Sequence, residues 1–252
     1  MSATDFAGER SLRVPIVDDG DELRFCSTCA FGAVCLADGY DKAALKDLHC
    51  LVEHVGPFRN GEYVFRSRDR FDAIYAVRGG AVKTCLVDEE GREQVLGFHL
   101  PGEMIGLNAI HPAHYPCDAI ALDSTWLCRF SFPALAMLAA RMPAVQQHLF
   151  RLLSADIGKA SMLAGDTSAS ERVSAFLVNI AGRFANRGFS PTRLRLSMSR
   201  GDLGNYLRLA PETISRVLRK LQDEGFIRVA ERDIELLKPV ELRRLARCIL
   251  HE

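Results

Sequence analysis

Ser199-Arg-Gly-Asp-Leu-Gly-Asn-Tyr-Leu-Arg-Leu-Ala-Pro-Glu-Thr-Ile-Ser-Arg-Val-Leu-Arg-Lys-Leu221 is the stretch whose spacing decides how the C-terminal third of the chain folds. A helix-turn-helix needs a small residue where its two helices nearly touch, and apolar residues facing inward at set positions. Gly204 is the small residue, and Leu203, Leu209, Ile214 and Val217 supply the inward set. Pro211 suits the first turn of the second helix, where a missing N–H costs little. On that helix Glu212, Ser215 and Arg216 fall at i, i+3 and i+4, so they share a face opposite Ile214 and Val217. Arginine can make paired bonds to guanine, a carboxylate can accept from the cytosine amine, and serine adapts to either. Thr213 belongs to the same segment, while Arg200, Arg219 and Lys220 are better placed for phosphates, which position a protein without reading sequence. Beyond Gly225 the alternation in Phe226–Val229 and Ile234–Leu236 predicts a small β-wing. The alternative, a helical hairpin with a merely solvated polar face, does not account for core spacing, small residue and local basicity together.

Charge agrees with this reading. The 252 residues carry no net charge, yet from Gly165 onward there are 16 Lys and Arg against 11 Asp and Glu, and before it 16 against 21. A basic module joined to an acidic one fits a polyanion-binding domain with a separate sensor. With 48% hydrophobic residues the chain can bury its own core without disulfides. No run reaches the 18 or so apolar residues of a membrane helix, and the first 25 residues lack the apolar core of a signal peptide. A cytoplasmic protein with no membrane partner is expected. The eight cysteines then point to metal or redox chemistry before disulfides.

Upstream of the helix-turn-helix the pattern changes twice. Between Gly56 and about Pro133, short apolar runs at Tyr63–Phe65, Ile74–Val77, Ala81–Val87, Gln94–Phe98 and Thr125–Cys128 alternate with glycine and proline, which suggests a β-sandwich or barrel. Asp88–Gly91 reads as a hairpin tip. Pro143 opens a helical stretch in which Leu149, Leu153, Ile157, Ala160 and Ala164 recur every three or four residues. That stripe can face a second copy of the chain, or be buried within one chain. The expected division is an arm over residues 1–40, a sensor domain over 41–140, a dimerisation helix over 141–165 and a DNA-binding domain over 166–252.

Cys26, Cys29 and Cys35 form a C-x2-C-x5-C pattern in the arm. Close thiolates on a flexible chain suit zinc or an iron–sulfur cluster. Spacing alone leaves the fourth ligand open among Cys50, Cys85, Cys117, Cys128, Cys248 and His49.

Taken together these residues resemble the FNR (fumarate and nitrate reduction regulator) branch of the cyclic-AMP receptor protein, or CRP, superfamily. The resemblance lies in the cysteine arm, Gly97–Gly106, Arg183–Pro191, Arg200–Leu207 and the Glu212–Arg216 reading face. It implies an α+β chain with a β-jelly-roll sensor domain, a long dimerisation helix and a winged helix-turn-helix. It further implies a 4Fe-4S cluster on four cysteines, with Cys128 rather than Cys117 as fourth ligand because Ser124–Phe132 matches there. Such regulators bind palindromic double-stranded DNA as homodimers in the cluster-bearing state, and oxygen destroys that state. RNA polymerase is the expected further partner, with Asp88–Gly91 a candidate contact. Two departures stand out: Ile157–Arg172 is about one helical turn shorter than in the family, and Arg208 occupies a turn position where glycine is common.

Three rival readings remain. A cyclic-nucleotide receptor would share the sandwich but needs a cation for the phosphate. Ala109–Ala119 contains no Arg or Lys. Haem could use His49, His99, His111 or His114, and zinc could hold the arm. No phosphate-binding loop or nucleophile–base set marks an enzyme.

Overall fold

Strand residues alternate between two faces, and β3 (Ala73–Gly79) shows what that alternation builds. Ala73, Tyr75 and Val77 enter one apolar cluster, while Ile74 and Ala76 enter another on the opposite side of the sheet. The computed structural model describes Cys35, residues 51–160 and residues 167–246, excepting the side chains of 155–160. Cys26, Cys29 and Ala164, with most of the expected arm, lie outside the described residues.

The sensor is a jelly roll of two antiparallel sheets. Its strands are β1 (Val52–Phe58), β2 (Tyr63–Phe65), β3, β4 (Val82–Val87), β5 (Glu93–His99), β6 (Met104–Ile105), β7 (Asp118–Ala121) and β8 (Thr125–Ser131). They are ordered β1-β8-β3-β6 in one sheet and β2-β7-β4-β5 in the other. Between the sheets Tyr115, 2% exposed, stacks on Phe65 at 3.9 Å and donates its hydroxyl to the Ala73 carbonyl at 2.7 Å. Outside the first sheet, α1 (Phe132–Arg141) and α2 (Pro143–Ala160) bury Leu135, Leu138 and Val145 against Ile74, Ala76 and Phe130.

Sequence periodicity located five strand cores but not β1, β6 or β7. β1 carries Glu53, His54 and Pro57 and slips register between Val55 and Phe58, so its alternation is too broken to read alone. The other two are short. Helix α1 was also not anticipated, because Pro133 reads as a breaker; here it sits in the first turn, where proline is tolerated. Within α2, Leu149 and Leu153 of the expected dimer stripe are half-buried against the chain's own outer cluster, whereas Phe150 is 60% exposed. The first half of the stripe therefore packs in part on the home domain, while the side chains of Ile157 and Ala160 lie outside the described residues.

The C-terminal unit is a winged helix. α3 (Ala169–Ala185) begins with a capping box between Ser168 and Glu171. β9 (Arg193–Arg195), β10 (Ile227–Ala230) and β11 (Asp233–Leu236) form the wing, ordered β10-β11-β9. α4 (Arg200–Leu207) and α5 (Pro211–Asp223) form the helix-turn-helix, and α6 (Pro239–Leu245) closes the unit. A Cβ on Gly204 would lie 2.6 Å from the Leu209 carbonyl, which explains the requirement for glycine where α4 meets the turn. Arg208 takes the left-handed conformation at φ 55° and ψ 46°, at a cost of roughly 1–2 kcal/mol for a residue with a side chain.

The two units share an apolar core. Val95, Phe98 and Leu100 of the roll join Val173, Phe176 and Leu177 of α3 and the interior of the winged helix in one cluster. Polar contacts surround it. Lys83 reaches both Glu93, at 2.6 Å, and Asp202, at 2.7 Å, and Asn205 accepts from the Val95 amide at 2.7 Å.

Candidate nucleic-acid interface and cysteine site

Helix α5 is amphipathic by construction: Ile214, Val217, Leu218 and Leu221 are buried, and Glu212, Ser215, Arg216, Arg219 and Lys220 are exposed. The expected reading face is thus one continuous exposed surface, with Thr213 half-buried at its edge. Glu212 lies in the first turn, where the helix dipole favours a carboxylate. Ser215 donates to the Pro211 carbonyl at 3.1 Å, and Arg216 donates to Thr213 Oγ1 at 3.1 Å. Those neutral partners can be exchanged for base edges at little cost. Arg216→Ala is expected to weaken binding to a preferred duplex by roughly 5- to 150-fold while leaving binding to random duplex nearly unchanged. Competition binding with the two duplexes checks this.

Arg200 has a partner inside its own unit as well. Its Nη2 donates to the Glu231 carbonyl at 2.8 Å, so α4 is tied to the wing turn, and burial lowers its pKa. That bond uses one of the five N–H donors of the guanidinium. The wing brings further arginines that sequence reading did not single out, Arg193, Arg195 and Arg228, each already facing Glu235 or Asp233. Their signal was the Arg193-Leu194-Arg195 alternation.

The segment that would hold a cyclic phosphate lacks a cation, as the sequence indicated, and Tyr115 from that segment fills the interior of the roll instead.

Four cysteines fall among the described residues, and they sort by environment. Cys85 is fully buried, and desolvation, reinforced by nearby Glu93, pushes its thiol up to about 12. Cys117 is 1% exposed and accepts from Asn108 Nδ2 at 3.7 Å. Cys35 and Cys128 are half-exposed, and both border the outer apolar cluster beneath α1 and α2. A metal-bound cysteine must be a thiolate. Burial opposes that form at Cys85, and Cys117 is enclosed within the roll, so Cys35 and Cys128 are the described thiols that fit a cluster. Among the described residues no three His, Cys, Asp or Glu side chains are grouped to hold a metal ion, since Cys26 and Cys29 lie outside them.

A winged helix with an exposed basic reading face, packed on a jelly roll, defines a DNA-binding regulator with a sensor domain. Comparison with known families agrees. Residues 56–142 match the cyclic nucleotide-binding domain, and residues 171–245 match the Crp-like helix-turn-helix domain. Over 224 residues the chain is 38% identical to transcriptional activator protein Anr of Pseudomonas protegens, covering 88% of this chain and 92% of that protein. It is equally similar to the fumarate and nitrate reduction regulatory protein of Escherichia coli, covering 90% of that protein. FixK2 from Bradyrhizobium japonicum has a similar structure, with a TM-score of 0.71 and 28% identity over 77% of this chain and 96% of that one. The chain belongs to the CRP/FNR family of DNA-binding transcription regulators, and its relatives are regulators rather than enzymes. No helix among the described residues is long and apolar enough to cross a membrane.

Proposed function

We propose that this protein is an oxygen-responsive cytoplasmic regulator that binds palindromic DNA as a homodimer when a 4Fe-4S cluster is held by Cys26, Cys29, Cys35 and Cys128. The observation that carries the reading is the position of Cys128: a half-exposed thiol on a rigid strand, bordering the same apolar cluster as Cys35 of the arm. The similarity to Anr and to the fumarate and nitrate reduction regulator supports it. When bound, the cluster supplies a redox-labile cross-link among thiolates.

The chain's own residues do the rest. Cys35 and Cys128 anchor the arm to the outer face of the roll, next to Leu149 and Leu153 of α2. Ordering the arm there favours one pre-existing presentation of the Leu149, Leu153, Ile157, Ala160 and Ala164 stripe to a second copy. Paired subunits place two α5 helices in successive major grooves, about 34–36 Å apart. Glu212, Ser215 and Arg216 then read bases, with Arg219 and Lys220 on phosphates. Exposed sensor residues such as those of the Asp88–Gly91 tip are available to RNA polymerase.

Purification of the full chain without air, followed by iron and sulfide analysis and by DNA binding before and after air exposure, tests this reading. Iron and sulfide in equal amounts, with weaker DNA binding after air, are expected. One zinc with no sulfide, or equal binding in both samples, would overturn it.

A further inference from the structure

Cys128 does not stand alone on its face of the sheet. In the β1–β8 ladder its direct partner is His54, and in the β3–β8 ladder it is Ala76. Directly opposed residues of an antiparallel pair have Cβ atoms about 4.5–5.5 Å apart on the same face. That face is the outer one: Val52 and Phe130, two residues along from His54 and Cys128, border or enter the outer cluster, whereas Val55 and Leu127 point into the roll. The imidazole Nδ1 of His54 lies 3.6 Å from the Cys128 sulfur. Arg78, where the β3–β8 register shifts between Val77 and Gly79, brings Nη1 to 3.4 Å from that nitrogen. A thiol, an imidazole and a guanidinium thus converge from three adjacent strands, remote in sequence from the reading helix.

The neighbouring positions on this face, Val52, Ile74, Ala76 and Phe130, are apolar. A coordinating thiolate, by contrast, is a hydrogen-bond acceptor, and donors around a ligand orient it and slow its loss. Resting on the cluster reading above, we infer that His54 is a positioning residue for the fourth ligand: its Nδ1–H donates to the Cys128 thiolate and holds it toward the cluster. Arginine can only donate, so in the geometry seen Nδ1 accepts from Arg78. Ligation calls for the other tautomer, in which the same nitrogen donates to sulfur and the exposed Arg78 guanidinium, which can no longer donate to it, turns toward solvent.

The test uses the full chain loaded with iron and sulfide in the absence of air, as wild type, His54→Ala and His54→Asn. Asparagine returns an amide donor close to the position of Nδ1. Iron release to a chelator is followed without oxygen by the absorbance near 400 nm, and Fe–S(Cys) stretching frequencies are recorded by resonance Raman. His54→Ala is expected to release iron roughly 10- to 100-fold faster, with shifted stretching frequencies. His54→Asn should recover most of the wild-type rate, and the melting of all three cluster-free proteins should coincide. Should His54→Ala fold poorly, His54→Gln, whose amide reaches the position of Nε2 and not of Nδ1, is expected to show the same faster release.

Equal release from wild type and His54→Ala overturns the inference and leaves the cluster reading standing, as does an asparagine variant no better than alanine. If wild type itself takes up no iron and sulfide, the cluster reading fails and the inference falls with it.

Discussion

Glu103→Ala is expected to destabilise the full chain by about 3–5 kcal/mol, because it strips the carboxylate from a buried three-way ion pair at the joint between the two units. Glu103, with its side chain 12% exposed, accepts from Arg183 Nε at 2.8 Å and from Arg187 Nη2 at 2.7 Å. It also accepts from the Leu100 amide at 3.1 Å. Arg183 donates in addition to the Phe98 carbonyl at 2.5 Å, and removing the carboxylate leaves two guanidinium groups, 21% and 5% exposed, without their counter-charge. Denaturant unfolding near neutral pH measures the loss.

The same carboxylate sets an acid limit. Burial raises its pKa, but Arg183 and Arg187 outweigh burial and hold it well below the ordinary value of 4.5, at about 2. A group whose folded pKa is depressed contributes its stability above the unfolded pKa and loses it as pH falls toward the folded one. The window is therefore from about pH 4.5 down to about 2, and the contribution is about 3 kcal/mol. Glu103→Gln should flatten that part of the stability curve. Parallel losses in wild type and Glu103→Gln would show that other groups govern acid unfolding.

The second large effect concerns the cysteines. Cys29→Ser and Cys128→Ser, each made without air, are expected to lose the absorbance near 400 nm and to bind the preferred duplex roughly 5- to 150-fold more weakly, the usual span of a coupling between two sites. Cys117→Ser should retain its iron, because that thiol is 1% exposed within the roll. Iron analysis and binding isotherms on the three proteins decide the ligand set. A Cys128→Ser protein with full iron beside an empty Cys117→Ser protein would reverse the assignment.

Local pattern made some of this legible and not the rest. The helix-turn-helix could be read almost residue by residue, because Gly204, Ile214, Val217 and the Glu212, Ser215 and Arg216 face all follow from helical spacing within some twenty positions. Strand β3 was visible for a different reason: both its faces are buried, so its apolar run is continuous. β1 was not, because its residues serve three purposes at once. Val55 fills the roll, His54 faces Cys128, and Glu53 pairs with Arg129 at 2.8 Å. Helix position suggested Arg200 for a phosphate but could not disclose its bond to the Glu231 carbonyl, 31 residues away.

The sequence by itself determined that a basic helix-turn-helix would end this chain and that three spaced cysteines would begin it, since both signals are set by residues a few positions apart. Only the tertiary structure decided that Cys85 and Cys117 turn inward while Cys128 turns out beside His54. It alone decided, too, that Glu103, Lys83 and Asn205 would bind the sensor to the reading unit. The physical reason is strand register. The face a strand residue occupies depends on which neighbour it pairs with and at what offset, and for Cys85 and Cys128 those neighbours lie some 10 to 74 residues away along the chain.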